Sequence, residues 1–343
     1  MAERYAVASG NWSALATWDG GVSLPGALDD VYPNGYTVTV DQDVTVTELN
    51  NGVGSTAVAG GKFTTSGSVE ITATVQGGNS SSAGTFCLEL NDGGTLTGNS
   101  YGNWGNRRGT GVYSGGVMNG NGYGSTATGS ATGVYVLAGG VMNGNGYGGT
   151  AGSSGAQVYN RGVINGDGYP GSAGLGVLLR DCGIMNGDAI GGVSVAVSID
   201  TGSVMNGNAI GGSTASKSAV SISNGGVLIG NSTGGSAFRA YGATVSGGGI
   251  VIGDVTGGSG SQAYGITINN GTAIIGTATG TVSDAHGVIA VDGDVVIITT
   301  ESGAYPKSLA SGVLLDYTTI PWLDKTAAGG GIQIARGMNG GMR

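Results

Sequence analysis

A phrase of about ten residues, repeated through the middle of the chain, constrains the fold more than any other feature. One copy reads Val141-Met142-Asn143-Gly144, and we number its residues as positions one to four of the phrase. The nine copies begin at Thr95, Val117, Val141, Val163, Ile184, Val204, Val227, Ile250 and Ala273. They follow one another at intervals of 20 to 24 residues, which is the length of one coil of a parallel β-solenoid.

The residues between the copies carry a second strand signal. Apolar residues alternate there with mixed ones, as in Val134/Val136 and Val177/Leu179, and this spacing places them on one face of a strand. Position four is Gly in every copy, and Asn or Asp follows it in eight of the nine, which is typical of corners. The pattern predicts an all-β, single-chain parallel β-solenoid (β-helix) of about ten coils, with an N-terminal cap and an irregular C-terminal segment.

Composition removes two other fold classes. The chain has 76 Gly in 343 residues, but 39% of it is hydrophobic and the net charge is −9, so it does not have the composition of a disordered protein. It has no Gly-X-Y period and five Pro, which excludes collagen. Changes in the pattern divide it into an N-terminal cap with first strands at 1–50, the solenoid at 51–300, and an irregular segment at 301–343.

The last three copies of the phrase predict a contact surface. Position three is Asn in five copies but Ile229, Ile252 and Ile275 in these three, while position two stays apolar. Neighbouring strand residues point to opposite faces, so an apolar stripe faces outward, which soluble monomers seldom show. We expect a subunit interface here, in a homotrimer. The alternative is that the coil register differs and a loop covers the stripe.

The C-terminal segment has two open interpretations. It is either a frayed tail or a docking peptide that becomes ordered on a partner. The residues that would dock are Trp322, Ile332, Ile334, Arg336, Met338 and Arg343.

The sequence predicts no catalytic, cofactor-binding or metal-ligating residue. His286 is the single histidine, so a Ser-His-Asp triad within the chain is not expected. The acids Asp167 and Asp188 share a repeat position, as a cation site or a glycosidase pair would require, but Asn stands there in neighbouring coils. We therefore interpret them, and the pair Asp181 and Asp200, as turn residues.

Tyrosines and cysteines also recur in informative places. Tyr123, Tyr147 and Tyr169 share one position, and we favour a structural stack over a sugar-binding ladder. Cys87 and Cys182 lie about four coils apart, too far for a disulfide, so we expect reduced thiols.

Charge and hydropathy limit the partners. The sequence pI is about 4.4 and no basic run occurs, which argues against a nucleic-acid partner. No run of 18 apolar residues occurs, so membrane insertion is not expected. The start of the chain has no apolar stretch of the signal-peptide type, which leads us to expect assembly in the cytoplasm.

The opening of the chain carries a resemblance to a known group. Gly10-Asn11-Trp12-Ser13, Ala16-Thr17-Trp18-Asp19-Gly20-Gly21, Pro25 and Asp29-Asp30 precede the strand that starts at Tyr36. Residues 10–50 thereby resemble the opening of β-solenoid structural proteins of tailed bacteriophages. The Gly-Gly-Val repeats are also similar to those of autotransporter passenger domains.

The phage resemblance implies a function and a location. It implies a virion structural protein, assembled in the host cytoplasm, of the fibre, spike or capsid-decoration type, and such proteins are often trimers. We expect a non-enzymatic, rigid β-helical rod for attachment or adhesion. Its partners would be itself, other virion proteins through one terminus, and a host-surface glycan. The alternatives are a polysaccharide-depolymerising tailspike and a bacterial surface adhesin.

Overall fold

The computed structural model describes residues 2–52, 61–77, 86–102, 108–125, 132–150, 154–214, 217–270, 272–280, 288–290, 294–303, 307–309 and 312–316. From residue 272 onward it describes the backbone, together with the side chains of Thr277 and Thr279. The chain divides into two compact units. Unit 1 comprises residues 1–188 and 193–198, and unit 2 comprises residues 189–192 and 199–343.

Unit 1 is built from two sets of parallel strands, which we call the first and the second sheet. The first-sheet strands are Glu3–Tyr5, Asp30–Tyr32, Val44–Asn50, Glu70–Gln76, Thr95–Thr97, Ser100–Tyr101, Val117–Asn119, Gly122–Tyr123, Val141–Asn143, Gly146–Tyr147, Val163–Asn165, Gly168–Tyr169 and Ile184–Asn186. The second-sheet strands are Gly10–Asn11, Thr37–Val40, Lys62–Thr65, Phe86–Leu90, Arg108–Val112, Val134–Val136, Ala156–Val158 and Val177–Leu179. The strand Val197–Ile199 has residues of both units.

Unit 2 has the same construction. Its first-sheet strands are Ala189–Ile190, Val204–Asn206, Ala209–Ile210, Val227–Ile229, Ser232–Thr233, Ile250–Thr256, Thr272–Gly280, Asp294–Gly303 and Gly312–Asp316. Its second-sheet strands are Ser218–Ile222, Tyr241–Ser246, Ile266–Asn269, Val288–Ala290 and Lys307–Leu309. The parallel pairing therefore continues past residue 300, as far as Asp316.

Successive coils pair in the register that the repeated phrase predicts. Met118 pairs with Met142, Met142 with Ile164, and Ile164 with Met185, all in parallel. The described part contains almost no helix, with one short 3-10 turn at Leu15–Thr17. The predicted all-β parallel β-solenoid of about ten coils is confirmed.

The core of each coil comes from alternate strand residues. Position two is fully buried in every described copy, as at Met118, Met142 and Ile164. Val134 and Val136 fill the same interior from the second sheet. Each such side chain contributes about 1.5–3 kcal/mol by burial, so the stack is stabilised coil by coil.

The corner at position four admits only glycine, for two reasons. Gly144 has φ +154, and the same residue of the other described copies lies between +149 and +158. A Cβ added to Gly144 would come within 2.1 Å of the carbonyl oxygen of Gly120 in the coil below. Backbone conformation and space both exclude a side chain here.

The start of the chain closes one end of the core. Trp12 and Trp18 are almost completely buried, their rings meet edge to face at 4.8 Å, and Trp18 Nε1 donates to the Trp12 carbonyl at 2.9 Å. Parallel pairing begins here too, at Glu3 with Asp30 and at Gly10 with Val38. The segment thus both covers the apolar interior and starts the strand stacks.

One copy of the phrase is out of register. Ile252 pairs with Ile274, and Gly253 pairs with Ile275; the ladder then shifts by one residue before Val255. Alignment by the letters of the phrase places Ile275 beside Ile252, and that placement is wrong. The cause is an irregularity where the strands Ile250–Thr256 and Thr272–Gly280 run through the corner that divides the earlier strands.

Candidate functional site

The outer face of the first sheet carries positions one and three of the phrase. In the first copy of unit 1 both positions are Thr; in its later copies position one is half-buried Val or Ile, and position three is exposed Asn. The amide of each Asn donates to the side-chain oxygen of the Asn in the coil before it. These bonds are 2.9 Å long and join Asn143 to Asn119, Asn165 to Asn143, and Asn186 to Asn165. Position three is therefore an amide ladder from Asn119 to Asn186.

In unit 2 the same column changes from polar to apolar. Asn206 pairs with Ile229, and Ile229 pairs with Ile252. The two isoleucines are 44% and 38% exposed, so no described segment of the chain covers them. We call Ile229, Ile252 and the residues in register after them the apolar column.

The apolar column continues in the backbone register beyond Ile252. Ile252 pairs with Ile274, Ile274 with Ile297, and Ile297 with Leu315. Of the three predicted interface residues, the structure brings together Ile229 and Ile252 and replaces Ile275 by Ile274. Letter-by-letter alignment hid this continuation, because the bulge at Gly253 offsets the phrase by one residue.

The residues that follow position four form a second ladder, at the corner. In unit 1, Asn145 N–H donates to Asn121 Oδ1, Asp167 N–H to Asn145 Oδ1, and Asp188 N–H to Asp167 Oδ1, each at 2.8 Å. An Asp side chain serves this ladder with the same oxygen as an Asn side chain. The Asp167 carboxylate therefore has a backbone-binding role that neutral residues fill in other coils, and Asp188 holds the same position in the next coil.

The second pair of acids also lies in turns. Asp200 accepts hydrogen bonds from the backbone of Thr201 at 2.9 Å and from the side chain of Asn224 at 2.6 Å. Asp181 is exposed and has φ +52, a conformation that Asp adopts in turns. The surroundings of both acids therefore agree with their interpretation as turn residues.

The repeated tyrosines stack on one another. The ring centroids of Tyr101, Tyr123, Tyr147 and Tyr169 are 4.6, 4.9 and 4.9 Å apart, with interplanar angles of 8°, 8° and 10°. Because the inner rings have a neighbour on each face, their faces are closed to sugar stacking and only edges and hydroxyls point outward. Burial and the Asp167 carboxylate raise the pKa of Tyr169.

The other residues singled out from the sequence are two cysteines, one histidine and the predicted docking residues. Cys87 is buried and Cys182 is exposed, and neither forms a disulfide. His286 and the proposed docking residues Trp322, Ile332, Ile334, Arg336, Met338 and Arg343 lie outside the described residues.

The described residues lack two further kinds of feature. They contain no group of three or more His, Cys, Asp or Glu side chains arranged to hold a metal ion. They also contain no helix with the length and hydropathy needed to cross a membrane.

Comparison with models of protein families, with curated proteins and with solved structures gives no match. Function must therefore be argued from the surfaces described above.

Proposed function

We propose that this chain is a non-enzymatic virion structural protein, a fibre, spike or capsid-decoration component that serves attachment or adhesion. The observation that carries the proposal is the apolar column, a surface suited to assembly rather than catalysis. The resemblance of residues 10–50 to phage β-solenoid proteins supports the same assignment. The partners are further copies of the chain, other virion proteins bound through one terminus, and a host-surface glycan.

The internal construction suits a load-bearing element. In unit 1 three kinds of ladder run from coil to coil: amide to amide, side-chain oxygen to backbone N–H, and ring to ring. Each coil is tied to the next by these contacts in addition to the strand hydrogen bonds. Such a repetitive structure resists local opening, because opening one coil breaks contacts with both of its neighbours.

The apolar column supports self-association in a homotrimer. The fold itself does not require Ile at position three, since Asn206 occupies that position in the preceding coil. The change to Ile in consecutive coils is explained if the column meets another apolar surface. Three chains related by a threefold axis would bring their columns together along it.

The test is the molar mass of the full chain in solution, measured by multi-angle light scattering. We expect a trimer for the wild type. The variant Ile229→Asn/Ile252→Asn installs the residue native to this position elsewhere, so it should keep the circular-dichroism spectrum of the wild type and be a monomer.

A matched control separates this column from general surface hydrophobicity. Ile210 is 40% exposed and pairs with Thr233 in the next coil, so Ile210→Thr is an equally conservative exchange in another column. This control should remain a trimer. A monomeric wild type, or a control that dissociates as the double variant does, would refute the apolar column as a subunit seam.

A polysaccharide-depolymerising role receives no support from the acids that suggested it. Asp167 and Asp200 use carboxylate oxygens to bind backbone or turn side chains. We therefore propose no catalytic residue.

A further inference from the structure

An aromatic and cationic cluster lies on the outer face of the second sheet in unit 1. Arg108 places its guanidinium carbon 3.6 Å from the ring centroid of Tyr135. The ring of Tyr135 stacks in turn on Tyr159, with centroids 5.5 Å apart and an interplanar angle of 8°. Together with Arg161 and Arg180 we call these residues the Arg–Tyr patch.

The chain holds the centre of this patch in one arrangement. Tyr135 follows Gly111 in register, and a Cβ on Gly111 would lie 3.1 Å from Phe86 Cγ and 3.0 Å from Tyr113 Cε2. The rings of Phe86 and Tyr113 thus occupy the space that a side chain on Gly111 would need. They bury Phe86 to 4% exposure on the outer side of the sheet, so Arg108 rests on a packed aromatic base.

The charge of Arg108 is not neutralised within the described residues. Its guanidinium contacts the rings of Phe86 and Tyr135, and it forms no hydrogen bond or ion pair there, although it is only half-buried. Lys62, by contrast, binds Glu89 at 2.6 Å. The five N–H donors of a guanidinium form a planar fork that fits a carboxylate, and none of the described residues fills that fork on Arg108.

A strained turn carries a second cation two residues after Tyr159. Arg161 has φ +68 and is exposed. The equivalent turn residue is Gly in other coils, as at Gly115 and Gly139 with φ +77 and +85. A non-glycine residue in this region costs about 1–2 kcal/mol, and such strain concentrates at functional sites.

Arg180 extends the patch by one coil. Its N–H donates to the Val158 carbonyl, as the N–H of Tyr159 donates to the Val136 carbonyl one coil earlier. Arg180 is exposed at that place. Arg161 and Arg180 thus lie in neighbouring coils, and Arg108 lies two coils before Arg161, in a chain whose net charge is −9. The acids of this region are Asp181 and Glu89, which is in register with Gly111.

We propose that the Arg–Tyr patch binds an anionic polysaccharide through its carboxylate groups. Arginine forks bind carboxylates by paired, charge-assisted hydrogen bonds. Gln157 accepts from the Tyr159 hydroxyl at 3.1 Å and donates to Thr132 Oγ1 at 2.9 Å, so it holds the Tyr159 ring in place within the patch. A polymer with a charge on every sugar can meet several cations that are spaced along the stack of coils, as Arg108, Arg161 and Arg180 are.

The strand pairing favours a glycan over an acidic peptide as the occupant. The strands Val134–Val136 and Ala156–Val158 each pair with a strand on both sides. No free sheet edge is therefore available here for a peptide to add a strand, which is a common mode of peptide capture. The ligand must be held by side chains, as a polysaccharide is.

This inference names a glycan class for the attachment role proposed above, and it rests on that role. The experiment is isothermal titration of the full chain with oligogalacturonates, with the same oligosaccharides after reduction of their carboxyl groups, and with poly-glutamate. We expect binding of the acidic oligosaccharides alone, weakening as salt rises because charges are screened. Arg108→Gln and Arg161→Gly should each weaken it about tenfold or more.

Two control variants isolate the patch. Cys182→Gly relieves the same turn strain in the next coil, where Cys182 has φ +66, without removing a charge. Arg239→Gln removes an arginine that stacks on Phe238 at 5.1 Å, outside the patch. Both should bind like the wild type. Arg161→Gly and Cys182→Gly should also both raise the melting temperature, which shows that the loss of binding is not a loss of fold.

Several results would overturn the inference. These are equal binding of the carboxyl-reduced oligosaccharides, equal binding of poly-glutamate, no binding at all, or full affinity in Arg108→Gln and Arg161→Gly. Light scattering on the same samples keeps the two proposals apart. A trimer without glycan binding refutes only the patch, and a monomer that binds the acidic glycan refutes only the assembly.

Discussion

At the scale of single residues, the coils can stack because the glycine at position four has no Cβ. In successive copies of the phrase, a Cβ at position four would come within about 2 Å of the glycine carbonyl below, as for Gly120 over Gly98 and Gly166 over Gly144. Space and φ act together at these corners. The sequence alone identified the position, but it could not separate the two causes, because both require the same residue.

Substitution at two glycines separates these causes. Gly67 has φ +78 with nothing within 4 Å of an added Cβ, whereas Gly144 has φ +154 and the carbonyl contact. We expect Gly67→Ala to cost about 1–2 kcal/mol of unfolding free energy from backbone strain alone. Gly144→Ala should cost several kcal/mol more, because overpacking adds to strain.

Urea denaturation followed by circular dichroism would measure the two losses. Gly26→Ala serves as the neutral control, since Gly26 is exposed and an added Cβ there meets only Asp29 at 3.8 Å. Equal losses at Gly67 and Gly144 would show that the coils separate to admit a methyl group.

At the scale of elements, side-chain contacts fasten the first segment of the chain to the strand Thr37–Val40 and its continuation. Ser13 donates to Asp41 twice, from its hydroxyl to Oδ2 at 2.6 Å and from its N–H to Oδ1 at 3.0 Å. Desolvation raises the pKa of Asp41, but the hydrogen bonds from Ser13 outweigh it, so the net pKa is lowered. The segment that covers the core is thereby held by a charged acceptor.

This contact predicts an acid-sensitive attachment. A carboxyl group whose pKa is lower in the folded state stabilises that state above its unfolded pKa, and this stabilisation is lost as the pH falls through the folded value. Asp41→Asn should therefore lower the melting temperature at pH 7 and have little effect near pH 2.

Ser13→Ala is the partner variant for the thermal measurement. Because it removes one side of the same contact, the double variant should be little worse than either single one. Additive losses, or an Asp41→Asn effect that does not shrink in acid, would contradict the coupling.

At the scale of the whole molecule, the period in the sequence was sufficient to predict the fold. Burial at position two, exposure at position three and parallel register all follow from copies such as Val117 and Val141. Contacts that depend on the exact length of the intervening loop did not follow. The stacking of Tyr135 on Tyr159 and the bulge at Gly253 are of this kind, since one residue more or less changes which side chains meet.

Because successive coils pair in the same register, the loss of one whole coil should be tolerated. Residues 141–162 make up one full repeat, from one phrase to the next. If they were deleted in frame, Val163, Ile164 and Asn165 would come into line with Val117, Met118 and Asn119, and each ladder would close again. We expect such a deletion to leave a folded protein with only a modestly lower melting temperature, as nearest-neighbour stability predicts.

A deletion of residues 141–151, half a repeat, should abolish folding, because it sets core residues against corner residues. If both deletions unfold the chain, the coils are not equivalent units. If only the shorter one does, then unequal crossing-over between the DNA segments that encode the repeats can lengthen or shorten this protein in whole coils. Its length would then drift between lineages in steps of one coil while its cross-section stays fixed.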